Sequence, residues 1–220
     1  MNTANWDIEA HSASAGHFSQ LGAIGAVPPG QGVVVDGPIP YQAWAIEKRR
    51  EHYANRLALD PEVKCFLPGV PRATYMPYPF QIVQGTDRIL IAYEYAGASR
   101  VIRFGKTEPS EVKAWMGQSA GRWDGDTLVV RVDGFTGETW FDRAGNFHSD
   151  ALTVTERYTQ IDADHLRYEA TIDDPKVFTR PWTISMPLYR RIEKNAQLLE
   201  YRCVEFAEEL LYGHLKKPGS

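Results

Sequence analysis

Between Asp133 and Asp150 the sequence sets Phe135, Trp140, Phe141 and Phe147 among Glu138, Asp142, Arg143, Asn146, His148, Ser149 and Asp150. Polar groups interleaved with aromatic rings suit a lid over a pocket, and long loops on rigid scaffolds commonly carry function. His148 and Asp150 are two residues apart. In an extended chain both side chains project to one side, which suits an acid/base pair or two ligands of one metal. The structural alternative has Asp150 accepting from a turn amide while His148 fixes the loop. Ser149 would point the other way, so His-Ser-Asp is no catalytic triad in itself. The other histidines, His11, His17, His52, His165 and His214, lie far away in sequence, which leaves a metal little to bind.

The segment after this loop carries more candidates. Leu152, Val154, Glu156 and Tyr158 fall on one face of a strand by alternation. A carboxylate on an apolar face either pairs with a cation or has a perturbed pKa. Arg180 is one candidate partner for Glu156, or a clamp for a ligand carboxylate. Tyr168 lies on the apolar face of the next strand, and Trp182 opens the apolar row Trp182, Ile184, Met186, Leu188. The expected catalytic set is therefore His148, Asp150, Glu156 and Tyr158. The expected binding set is Trp140, Phe141, Asp142, Arg143, Phe147, Tyr168, Arg180 and Trp182. No cofactor is called for. The glycine-containing stretches 121–125 and 134–137 precede no helix, so neither reads as a phosphate-binding loop.

The elements that must position these groups are mostly strands. After residue 79, short alternating runs are separated by turns such as Gly85-Thr86-Asp87 and Asp124-Gly125, the latter a strong hairpin signal. Nine strands are expected, the last over 198–204. Strands in such succession should pair antiparallel and curl into a barrel, closed or nearly so, or a strongly bent sheet, because closure removes exposed edges. Ahead of them, residues 1–40 read as a Pro- and Gly-rich wrap. Residues 41–59 read as a helix with the stripe Ala43, Ile46, Arg50, Tyr53, Leu57. Pro68, Pro71, Pro77 and Pro79 pin a further extended segment on the barrel. A short helix over 205–216 ends the reading: one mainly β domain, a lipocalin-like antiparallel barrel.

The chain has 220 residues and a formal net charge of −4, which gives no general attraction to nucleic acid. No apolar run is long enough to span a membrane, and the N-terminus lacks a signal-peptide pattern. The expected compartment is cytoplasmic, or an exported one if a leader has been removed. The two cysteines, Cys65 and Cys203, are expected as buried thiols, with a long-range disulfide as the alternative. Both a monomer and a homo-oligomer stay open.

The stretches Gly121–Val130 (GRWDGDTLVV), Asp142–Leu152 (DRAGNFHSDAL) and Asp174–Thr183 (DPKVFTRPWT) resemble a widespread family of uncharacterised bacterial proteins. The resemblance spans residues 28–217 and brings no activity or catalytic residue with it. Some members look exported. From the residues themselves, the leading expectation is a cofactor-independent lyase or isomerase. It would act by acid/base chemistry on a small hydrophobic, aromatic molecule in a barrel pocket. The alternatives are a non-catalytic carrier or sensor of such a molecule, and a metal-dependent hydrolase or oxygenase.

Overall fold

A computed structural model describes residues 34, 35, 37–105 and 111–215. The expected wrap over residues 1–40 lies almost wholly outside these residues. Eight strands form one curled sheet, a half-barrel with the strands in sequence order. They are β1 (Phe80–Gln84), β2 (Arg88–Tyr93), β3 (Ser99–Phe104), β4 (Gln118–Asp124), β5 (Thr127–Asp133), β6 (Thr153–Gln160), β7 (His165–Asp173) and β8 (Trp182–Tyr189).

The mainly β, curled sheet is as expected; three features depart from the antiparallel, closed or nearly closed barrel. β3 and β4 run parallel. The connection from Gly105 to Gly117 is long enough to carry the chain back to the starting end, as a parallel pair requires. The sheet is open, with β1 and β8 as its two ends; residue Val34 forms a single bridge to Ile184 on the outer edge of β8. The ninth strand does not form. Residues 198–204 have no regular structure, because their partners are side chains near the start of β1 rather than the edge of β8.

Register stacks the concave face into layers. Val132, Val154, Ile172 and Trp182 form one cross-strand row, and Val130, Glu156, Ala170 and Ile184 form the next. Leu128, Tyr158, Tyr168 and Met186 form the third. All are buried. Gly121 on β4 leaves room for this packing, since a Cβ there would meet the Ile102 side chain at 2.6 Å.

The N-terminal helix is α1 (Ala43–Ala54), followed after Asn55 by the single turn α2 (Arg56–Leu59). Its buried face is Ala45 and Arg49, not the expected stripe; Ile46 and Leu57 are exposed. The reason is what α1 packs against. Its backbone lies directly on Gly145, where a Cβ would sit 2.7 Å from the Tyr53 amide nitrogen and 2.8 Å from the Arg49 carbonyl. Gly145 also has φ +80°, which favours glycine. A polar loop, not an apolar sheet, thus receives the helix.

Residues 68–76 are buried throughout and include the short helix α3 (Arg72–Tyr75). The segment therefore enters the core instead of lying on its surface. A C-terminal helix α4 (Ala207–Tyr212) continues into a 3-10 turn, Gly213–Leu215. Cys65 and Cys203 form a disulfide across 138 residues, in place of two thiols.

Candidate functional site

The loop from Asp133 to Asp150 is buried structure rather than an open lid. Phe135, Phe141, Asp142, Asn146 and His148 are all at most 3% exposed. Asp142 accepts from the Ala144 and Asn146 amides and from the Asn146 side chain, which closes the loop on itself. Tyr41 Oη donates to Asn146 Oδ1 at 2.8 Å, and Tyr75 Oη donates to the Phe141 carbonyl. Trp140 stacks on His52 of α1 with centroids 4.4 Å apart, and Phe147 meets the same ring edge-on. The aromatic residues expected to hold a ligand hold the loop and α1 instead.

His148 is fixed by two bonds. Its Nδ1 lies 2.8 Å from the Ser149 carbonyl and therefore donates; its Nε2, 2.6 Å from Thr139 Oγ1, accepts from that hydroxyl. Burial lowers its pKa, against the opposing pull of the Ser149 carbonyl and Asp174. The unfolded chain therefore takes up its proton at a higher pH, about 6.5, than the folded chain does. Stability should fall as pH drops below that value. Nitrogen NMR is expected to show a neutral His148 protonated on Nδ1 at pH 7 and titrating below the ordinary histidine value; titration at or above about 6.5 would contradict this.

Asp150 does not join His148. It lies at the surface between Lys113 and Lys176, the latter at 2.7 Å. These two lysines bring its pKa down to about 2. Ser149 instead pairs with buried Asp174, which accepts from both its amide and its hydroxyl. His148 thus fixes the loop, as the structural alternative had it, whereas Asp150 bonds two lysines rather than a turn amide.

Glu156 and Tyr158 do meet, deep in the half-barrel, but with a partner the sequence reading missed. Arg100 Nη1 and Nη2 donate to the Glu156 carboxylate at 2.6 and 3.0 Å. Arg100 Nη2 also donates to Tyr158 Oη. Tyr158 and Tyr168 donate to Glu156 Oε1 at 3.0 and 2.8 Å. Burial, reinforced by the Glu156 charge, pushes both phenols well above their ordinary pKa. Burial opposes the Arg100 cation, but Glu156 and the neighbouring phenols outweigh it. Arg180, one candidate partner from the sequence, is exposed and donates to the Pro181 carbonyl. The missed signal was alternation on β3: Arg100, Ile102 and Phe104 share a face, so Arg100 had to point inward with Ile102.

A second buried charge network also escaped the sequence reading. Arg72 on α3 grips Asp60 with both terminal nitrogens, at 2.8 and 3.0 Å, and also bonds Glu62. Arg143 closes on Glu62 from the loop at 2.9 Å through two nitrogens. Burial works against the Glu62 carboxylate, but Arg72 and Arg143 lower its pKa below the ordinary value. The role of Arg143 is thus to tie the loop to the N-terminal segment. Trp182 lies edge-on to Phe141 and Phe178 as part of the core.

At the opposite end from the loop, the structure opens. A groove of about 720 Å³ is lined by Trp123, Gly125, Asp126, Gln160, Ile161, Asp162 and Ala163, from the β4–β5 and β6–β7 hairpin tips. Register places Trp123 in the row of Leu128, Tyr158, Tyr168 and Met186. Trp123 is nonetheless 47% exposed, and Ile161 52%. The described residues contain no group of three or more His, Cys, Asp or Glu placed to hold a metal, and no helix long and apolar enough to cross a membrane. Comparison with family models, with curated proteins and with solved structures gives no match.

Proposed function

We propose that this domain binds a small hydrophobic, aromatic molecule at the groove between the hairpin tips, as a carrier or sensor rather than a catalyst. The observation that carries this reading is Trp123. It belongs to the concave row yet presents nearly half its surface to a groove within the usual volume range for small-molecule sites. The groups that would perform lyase or isomerase chemistry are engaged with one another. Both Glu156 oxygens accept from Arg100, and Oε1 also from two phenols; both His148 nitrogens are bonded. Neither Glu156 nor His148 lines the groove, so neither is placed to act as a base on a molecule held there. The disulfide supports work in an oxidising compartment, the exported alternative of the sequence reading.

The test is saturable binding of anilinonaphthalene sulfonate, followed by the dye's own fluorescence, and its displacement by a panel of uncharged aromatic compounds. Burying one large apolar side chain is worth about 1.5–3 kcal/mol, so Trp123→Ala should weaken binding at least tenfold. Equal affinity in that variant, or no saturable binding at all, rejects the groove. Turnover of a bound compound that is lost in Glu156→Gln while binding persists would reinstate the enzyme.

A further inference from the structure

The two free ends of the sheet are joined by the chain that leaves β8. At its start the Arg190 amide still donates to Asp164 beside β7. Further on, the chain has reached the other end of the sheet. The Leu199 amide donates to the Glu94 carboxylate at 2.8 Å, and Glu94 directly follows β2. Tyr201 packs between Tyr78, just before β1, and Tyr95, just after β2, with centroids 5.0 and 4.9 Å apart. The Phe206 amide donates to the Val63 carbonyl, and Cys203 is bonded to Cys65. Residues 190–206 therefore form a strap from the β8 end of the half-barrel to the β1 end.

This strap has little else to hold it. It contains no helix or strand, and Ile192, Leu199 and Val204 are 77%, 67% and 59% exposed. Its hydrogen bonds at Leu199 and Phe206 are single contacts, and its aromatic contact rests on one side chain. The covalent bond is the dominant anchor. Both cysteines are partly exposed, which places the bridge near the surface rather than in the core. On the β8 side of the seam, beyond the Val34 bridge at Ile184, lie Met186 and Leu188, 2% and 6% exposed.

We propose that the Cys65–Cys203 bond is a redox-operated latch that keeps this strap across the seam between β8 and β1. Its opening is a thiol–disulfide exchange with a dithiol reductant. One reductant thiolate attacks a sulfur of the bridge, forming a mixed disulfide, and the other cysteine leaves as a thiolate and takes a proton. The second reductant thiol then displaces the first cysteine. The protein gains two electrons and two protons, and the reductant ends as a disulfide. Released, the strap leaves the concave face reachable sideways through the seam, a route separate from the groove at the hairpin tips. The inference does not depend on the ligand reading.

The experiment uses the full folded chain, reduced with a phosphine, alkylated with iodoacetamide and desalted, beside the oxidised protein. Two quantities are followed: amide exchange by NMR, and oxidation of methionines by hydrogen peroxide. Exposed methionine is oxidised faster than buried methionine, and Met76 and Met116, buried elsewhere, serve as internal references. Reduction should speed exchange of the Leu199 and Phe206 amides at least tenfold. It should speed Met186 oxidation at least fivefold relative to Met76 and Met116, with β5–β7 amides unchanged. The Cys65→Ser, Cys203→Ser double variant should behave as the reduced protein does. Unchanged protection at Leu199 and Phe206, or unchanged Met186 oxidation, overturns the latch. So does a bridge that resists reduction until the protein unfolds. Faster exchange throughout β5–β7 would also overturn it, showing a staple of the whole fold instead.

Discussion

Arg100→Met should destabilise the protein by about 3–5 kcal/mol, the usual cost of leaving one partner of a buried ion pair alone. In the native structure the Glu156 charge sits in a row with Val130, Ala170 and Ile184, shielded by Arg100 and two phenols. Methionine fills much of the arginine volume, so the loss is chiefly electrostatic. Tyr158 and Tyr168 still donate, but no cation balances the carboxylate. For a chain of this size each kcal/mol moves Tm by about 2–4 °C, so thermal unfolding should shift down by roughly 10 °C. The double substitution Arg100→Met, Glu156→Met should recover most of that loss, because apolar replacement of a whole buried pair is often neutral or stabilising. A single variant within about 2 °C of the parent would show that solvent reaches the pair.

Arg72→Met should have an effect of similar size for a different reason. Arg72 is the hub of a network whose acids, Asp60 and Glu62, are 0% and 7% exposed. Without it Asp60 loses both of its arginine contacts, and Glu62 keeps only Arg143. The expected loss is again about 3–5 kcal/mol. Arg72→Lys should rescue little, since an ammonium cannot span two carboxylates as the planar guanidinium does. Because Arg143 carries the same network into the 133–150 loop, the loop and α1 should loosen together. Denaturation followed by Trp140 fluorescence in a single-tryptophan background checks this. Arg72→Lys at parental stability would refute the geometric part of the argument.

The sheet was legible because its signal is local. Alternation from Phe80 to Tyr189 and the turns between runs placed eight strands, and the inward rows of β5 to β8 followed from parity alone. The parallel β3–β4 pair was hidden because residues 105–117 carry no alternation to show where the chain returns. The 133–150 loop misled for a physical reason: the composition of a ligand pocket and that of a polar core are the same. Asp142, Asn146 and His148 are buried and satisfied by near neighbours, which no spacing rule reports. Glu156 was correctly singled out as a carboxylate needing a cation. Arg180 was one candidate for its partner, but Arg100 reaches it across the barrel. The groove at Trp123 left no sequence trace beyond a tryptophan beside a hairpin turn.

The bridge between Cys65 and Cys203 has one further consequence, for mechanical load. It encloses all eight strands in a covalent loop across a sequence separation of 138. Once the segment ahead of Cys65 has let go of β8, where Val34 and Val35 bond it, tension on the chain passes from Cys65 to Cys203 through the sulfurs and bypasses the strands between them. Only the segments outside the bridge can extend. Roughly 480 Å of contour stays folded out of the force path, at about 3.5 Å per residue. With the bridge intact, the half-barrel is shielded from pulling; with the bridge reduced, the same tension is transmitted directly to β1 and β8, the strands with a neighbour on only one side.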